Sequence, residues 1–437
     1  VPRLLIGNEF NEDRVGLADA RRKRTGWWTQ RLLWFARDDD ILVLAAAPED
    51  AYLEYVTALT RTSPGSLAIL VPPPGEMGAG VLSADRMLGP AFVEQVGKLA
   101  AMRGIDEVVS LHPDVSVAQL AEAAGVGQAL PGRDFLRQGG GRLANSKPVF
   151  RAIAAGVGAP LPAGGVCTSQ AMAMELIGGL LENHPVMLKH EFRAGGRGNE
   201  ILSPVPGVLP VGAQRTVVVA DRAALQDYLA GRWDWLTSGE KNPFVAERYY
   251  PDSSAVFAEF AITDDGVRLA GHGEMVSAPL AAAEIIPAPG LSGPELAELV
   301  AGGSRMCEAL RAMGYRGMLS ADAIVTAERE VLFTEYNGRI TGSTHIYSVI
   351  GEHLVGADYA RTRVLLEREG WPVPSLCEAV TALREAGLAF DPGTRTGVVL
   401  AMPYNPSNSS IRYCAVAPDL ATARQSQQIV ESLFGSS

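Results

Sequence analysis

Over the first ~140 residues, short apolar runs alternate with longer helical patterns: LLIG near 4, ILVLAAA near 41, SLAILV near 66 and EVVSL near 107. Runs of strand length, each separated by room for a helix, predict a small parallel α/β sheet. Ligands of such sheets collect at the strands' carboxyl ends. There stand GNEFNED, after the first run, and HPD, after the last. These segments either face a cleft or serve as turn and helix-capping residues.

The pattern changes at RQGGGRLANSKP (137–148), rich in Gly and basic residues and ending in a Pro that suits the first turn of a helix. A domain boundary is expected there. Residues 149–156 read as a helix ended by Gly156, GAPLPAGG as a loop, 168–183 as a helix, PVMLKHEF as a strand, and DRAALQDYLAGR as a helix capped by Asp221. PAPGLSGP (287–294) and GWPVPS (370–375) punctuate the remainder. After the second cluster, TGVVLAMPY and IRYCAVA read as paired strands before a closing helix. The expected division is 1–140, 141–220, 221–368 and 369–437.

Chemistry concentrates in MLSADAIVTAEREVLFTEYNGR, two strands joined by a turn at Ala327 to Glu330. Strand alternation puts Glu335, Asn337 and Arg339 on one face, beyond Val331 and Phe333 on the same side. Pairing Thr326 with Val331 carries Asp322 opposite Glu335. At about 5 Å and an effective dielectric near 20, two carboxylates repel by roughly 3 kcal/mol, which a cation between them would relieve. Two carboxylates and the Asn337 carbonyl suit Mg²⁺. Alternatively, Asp322 is solvated and Glu335 pairs with Arg339.

Three further segments carry polar patterns. In VMLKHEFRAGGRGNEIL (186–202) a strand delivers Lys189 into a loop with Gly195, Gly196 and Gly198, flanked by Arg193 and Arg197. This is an anion-covering loop or an ordinary hairpin, and it has neither P-loop nor dinucleotide spacing. Lys147 lies at a helix start, where the dipole favours anions, or is a surface lysine beside a cap. FVAERYYPD (244–252) is a strand ending in Glu247, Arg248 and Tyr249, with Asp252 beyond, and as a plain sheet end it needs no ligand.

Composition narrows the setting. The 437 residues exceed one ordinary core, and 47% hydrophobic with 20% charged residues describes a soluble protein. A net charge of -11 argues against nucleic-acid binding, so any bound phosphate needs local cations. No apolar run reaches the roughly 18 residues of a membrane span. The four cysteines show no CxxC spacing, and VPRLLIG carries no signal pattern, so a cytoplasmic protein is expected, with a start upstream of Val1.

Taken in order, Lys147, Lys189 with AGGRGN, VAER (245–248) and EYNGR (335–339) resemble the ATP-grasp ligases over about 145–360. The resemblance implies an ATP-grasp fold behind an N-terminal pre-ATP-grasp α/β domain. It implies ATP phosphates on Lys147 and Lys189 under Gly195, Gly196, Arg197 and Gly198, and the adenine edge at Glu247, Arg248 and Tyr249. It also implies two Mg²⁺ ions, with Mn²⁺ as a substitute, on Asp322, Glu335 and Asn337. Arg339 would support the transferred phosphoryl group, Lys189 would act with it, and GSTH with His345 would border the acceptor.

The resembled pattern departs at two places. Ser254 stands where many members hold the ribose with an acid, leaving Asp252 as substitute, and Gly338 replaces a common proline. The chain is also similar to ATP-grasp peptide ligases of antibiotic biosynthesis, which implies a small carboxylic acid and a peptide amine as substrates. A dipeptide ligase, a carboxylase or a nucleotide-binding regulatory protein shares the same core. Acceptor contacts are to be sought around Arg268, His272, Glu274, His345 and Tyr347, although His272 reads first as a sheet residue bonded to a neighbouring strand and Tyr347 as core packing; a homodimer is expected by base rate.

Overall fold

The computed structural model describes residues 1–10 and 25–434, so Asn11, Glu12 and Asp13 of GNEFNED lie outside the described residues. The four N-terminal runs form the expected parallel sheet: β1 (Arg3–Ile6), β2 (Ile41–Val43), β3 (Ala68–Leu70) and β4 (Glu107–Ser110), in the order β3-β2-β1-β4. Leu4, Ile6, Ile41, Val43 and Val108 enter a core with the flanking helices.

A second sheet holds β5 (Gly164–Cys167), β6 (Val186–His190), β7 (Asn199–Ser203), β8 (Thr216–Val218) and β9 (Phe244–Arg248), in the order β5-β9-β6-β7-β8. Two helices, Gln170–Leu181 and Arg222–Thr237, cover it through Ala173, Ile177, Leu225 and Leu229. The second is capped by Asp221 as expected, and the first begins two residues later than its pattern suggests. Ser169 accepts from the Met172 amide and Asp221 from the Ala224 amide, satisfying donors that a helix start leaves orphaned.

The third sheet is antiparallel and eight-stranded. It contains β10 (Ser254–Ile262), β11 (Val267–Ser277), β12 (Ala281–Ile286), β13 (Gly317–Val325), β14 (Val331–Asn337), β15 (Val364–Pro372), β16 (Gly397–Val399) and β17 (Ser410–Ala417), ordered β14-β13-β10-β11-β12-β15-β17-β16. One face carries the helix Gly293–Ala312. A Cβ on Gly302 would lie 2.4 Å from the Phe333 ring and one on Gly303 2.5 Å from Phe260, so the paired glycines let this helix ride close to the strands. β15 and β17 continue the same sheet across the Pro/Gly cluster at 370–375.

Candidate functional site

Asp322 lies directly opposite Glu335, as expected, but by a different route. At the turn Val325 pairs with Val331, one residue out of the expected register, and a β-bulge between Asp322 and Ala323 restores the offset. The bulge also corrects the expected facing. Ala323 and Phe333 pair on the helix-covered side and Tyr336 joins them in that core, so Glu335 and Asn337 project from the opposite face to Val331 and Phe333. One extra residue inverts the alternation on which that expectation rests.

No dication is needed to hold the carboxylates together. Lys147 Nζ lies 2.9 Å from Glu335 Oε2, Ser320 donates to Asp322 Oδ1 at 2.6 Å, and Asn337 Nδ2 donates to Asp322 Oδ2 at 2.9 Å. Burial and the neighbouring Glu335 charge push the Asp322 carboxyl up to about 8. Burial acts upward on Glu335 too, but Lys147 and Lys189 outweigh it and bring that carboxyl down to about 2. The pair therefore divides into a proton holder and an anion. Arg339 does not complete the alternative pairing. Its Nη1 donates to Asn145 Oδ1 at 2.5 Å, although its charge still favours both carboxylates.

Lys147 opens the helix Lys147–Gly156, whose cap Ser146 accepts from the Val149 amide and donates to Glu191 Oε1 at 2.5 Å. Its ammonium also reaches Arg193 O at 2.8 Å. Lys189, on β6, lies 2.5 Å from Glu247 Oε1 and donates to Thr334 O at 3.1 Å. Glu247 is 2% exposed, its other oxygen 2.7 Å from Arg151 Nη1. The geometry thus puts the Glu247 carboxylate between two cations, where the resemblance implies an adenine edge.

The glycine loop turns through Gly195 and Gly196, at φ 63° and 72°, and pairs Lys189 with Asn199 across its base. Asn199 Nδ2 and the Arg197 carbonyl tie it to the 212–214 segment. Gly198 lies against Arg193 and His190. At the end of β9, Arg248 stacks 4.2 Å over the Tyr250 ring, Tyr249 donates to Leu209 and Val211 carbonyls, and Asp252 is exposed.

The N-terminal sheet reaches this region. Asn8 joins the ends of β1 and β4 through two bonds to His112, and Asp114 caps the next helix, as turn and capping residues would. Arg31, 2.8 Å from Glu9, donates to the Ile340 and Thr341 carbonyls, and the Ile340 amide donates to Leu111 O. Gly338 donates its amide to Ala144 O at 2.8 Å, and a Cβ there would meet Ala144 Cβ at 2.6 Å. The proline common in the resembled pattern has no such amide and would collide here.

His345 stands apart from the carboxylate pair. It is 1% exposed, bonded to Ala401 O at 3.0 Å and packed beside Trp34, and burial pushes its imidazole down to about 3. His272 and Glu274 share the helix-covered side with Ala258 and Val256, away from Asp322, and Arg268 is exposed. Tyr347 is buried and donates to Glu259 at 2.6 Å.

Sequence reasoning passed over a row of acids on the site's face. Registers place Glu335, Asp322, Glu259, Glu284 and Glu367 on that face of β14, β13, β10, β12 and β15, with β11 contributing none. Glu259 is fully buried and accepts from Thr341, Thr344 and Tyr347 hydroxyls, fixing the loop that follows Arg339. Glu284 and Glu367 are directly opposed, with Arg412 bridging Glu367 at 3.1 Å and Glu369 at 2.5 Å. A charged residue inside FAEFAI or AAAEIIP was the available signal.

Among the described residues, no three His, Cys, Asp or Glu side chains converge as a metal cluster, and no helix is long and apolar enough to cross a membrane.

Residues 29–126 match the family model described as a Pre ATP-grasp domain, and residues 378–430 match that of the PGM1 C-terminal domain. No curated protein matches the chain. Among solved structures it is similar to the ADP complex of purK, N5-carboxyaminoimidazole ribonucleotide synthetase, at 13% identity and TM-score 0.59, over 98% of this chain and 95% of that one. Biotin carboxylase from Campylobacter jejuni gives 13% and 0.58, over 98% and 90%. L-amino acid ligase from Bacillus licheniformis gives 13% and 0.55, over 98% and 96%. These likenesses show an ATP-grasp fold behind a pre-ATP-grasp domain.

Proposed function

We propose that this chain is an ADP-forming ATP-grasp ligase that joins a carboxylic acid to an amine. The observation that carries this reading is the Asp322–Glu335 pair faced by Lys147 and Lys189, each delivered from a different element. Oxygen donors from two carboxylates and an amide suit Mg²⁺, and the lysines beside a glycine-rich loop suit polyphosphate. Asp322, Glu335 and Asn337 would hold the metal, which when bound neutralises phosphate charge.

The chain's own residues then do the following. Lys147 and Lys189 hold the ATP phosphates, and Asn145 keeps Arg339 aimed at the reacting carboxylate. A carboxylate oxygen attacks the γ-phosphorus, the bond to the bridging oxygen breaks, and ADP leaves. The amine nitrogen next attacks the acyl carbon, phosphate departs with the C–O electron pair, and the amine loses a proton to give the amide. No enzyme nucleophile is required.

The finer reading makes the acid an amino or guanidino acid and the amine a peptide N-terminus, in peptide natural-product biosynthesis, in the cytoplasm and in a homodimer. Its supports are the whole chain's resemblance to the ATP-grasp peptide ligase of pheganomycin biosynthesis and a net charge of -11, which is compatible with a cationic substrate.

The test is a product analysis with MgATP, a panel of amino and guanidino acids, and hydroxylamine as acceptor. Acid-dependent ADP with hydroxamate is expected. AMP with pyrophosphate would overturn the phosphoryl-transfer roles, and the absence of turnover with every acid would leave a nucleotide-binding protein.

A further inference from the structure

The buried cations have a second consequence, which rests on the ligase reading's assignment of Asp322, Glu335 and Asn337 to a metal. Lys147 is 6% exposed and its ammonium is committed to three acceptors: Glu335 Oε2 at 2.9 Å, Arg193 O at 2.8 Å and Glu191 O at 3.5 Å. It thereby occupies one of the two Glu335 oxygens that a metal could take, and it ties the start of the glycine loop to β14. Lys189 cannot withdraw to make room, since Glu247 and the Thr334 carbonyl hold it and Arg151 already closes the other side of Glu247.

A bare dication arriving at Glu335 would strand the Lys147 ammonium without a counter-charge, in a place water hardly reaches, and would sit close to it. A polyphosphate changes that balance, because its oxygens take over the ammonium as the metal takes over the carboxylate. We propose that Lys147 is the metal strand's resident counter-ion, so that this site admits a divalent ion as its chelate with a nucleotide and rejects the ion alone. Lys147 is thus both a phosphate ligand and the group that sets which form of ligand is accepted.

The test uses the whole chain and Mn²⁺ as probe, with free Mn²⁺ read by its EPR signal, with and without ADP. Wild type is expected to bind no Mn²⁺ in the submillimolar range without ADP. Lys147→Met should bind Mn²⁺ without nucleotide at least about tenfold more tightly than wild type, and adding Asp322→Asn should remove the gain. Lys147→Gln, which keeps a polar head, gives the same comparison if the Met variant does not fold. Equal Mn²⁺ affinity in wild type and both Lys147 variants would overturn the proposal. ADP binding to wild type, followed separately by calorimetry, tests the ligase reading: its absence would sink that reading, while the Mn²⁺ arms still judge the role of Lys147.

Discussion

Two carboxylate pairs face each other across neighbouring strands on one face of the same sheet: Asp322 with Glu335, and Glu284 with Glu367. Burial and the partner's charge push Asp322 and Glu284 up to about 8; burial raises Glu367 as well, whereas the lysines lower Glu335. The pairs differ in where their cations come from. Arg412, from β17 in the same sheet, serves the second pair and is held between Glu367 and Glu369. Lys147 and Lys189 serve the first from a helix start and from another sheet; Glu247 and the Thr334 carbonyl hold Lys189, so Lys147 is the one that can turn to a ligand. Similar local chemistry therefore gives a fixed floor in one place and an exchangeable site in the other.

The sharpest break in that comparison is Glu335→Gln. It removes the anion of the exchangeable pair while leaving Lys147 its carbonyl acceptors and Lys189 its Glu247 partner. Turnover should fall by at least about 10²-fold, while the protein still folds, with its unfolding midpoint lowered because Lys147 is left buried without its counter-charge. Near-normal turnover in a steady-state ADP assay would remove the site from the carboxylate pair. Arg412→Met acts on the fixed pair and should register as stability. Glu367, 3% exposed, loses its cation, a class of change that costs about 3–5 kcal/mol. Urea unfolding at pH 7.5 measures it, and a loss under about 1 kcal/mol would mean that the floor is not held by Arg412.

Much of this was legible in the sequence, and the misses have physical causes. Four parallel strands, the capped helices and the opposition of Asp322 to Glu335 follow from periodicity, caps and hairpin pairing. The bulge was not legible, because Thr334 is an ordinary strand residue with no Gly to mark it; the side on which Glu335 stands was lost with it. Arg151 could have been found, since it lies four residues after Lys147 on one helix and hence on the same face. Glu247 could be placed at the sheet end but not between Arg151 and Lys189, a contact that joins residues 151 and 189 across a fold. The row Glu259, Glu284 and Glu367 reads as isolated acids in separate strands until the register aligns them.

The smallest expected effect tests the sign of the shift in the fixed pair. A carboxyl raised from about 4.3 in the unfolded chain is favoured in its protonated form by the fold. For Glu284, raised to about 8, that contribution is fully present below about pH 4.3 and is lost as pH rises through 8. Glu335, lowered to about 2, has the opposite sign: its contribution is present above about pH 4.3 and lost as pH falls towards 2. Glu284→Gln keeps the shape and cannot ionise, so it removes one falling limb. Relative to wild type it should gain stability as pH rises to 8, with the gap closing below about pH 5, as urea midpoints at pH 5, 6.5 and 8 would show. Turnover should persist, because the cation that exchanges with ligand belongs to the other pair. Parallel stability curves for the two proteins would mean that Glu284 is ionised throughout and that Arg412 compensates all three neighbouring acids; the two pairs would then differ in charge as well as in the origin of their cations.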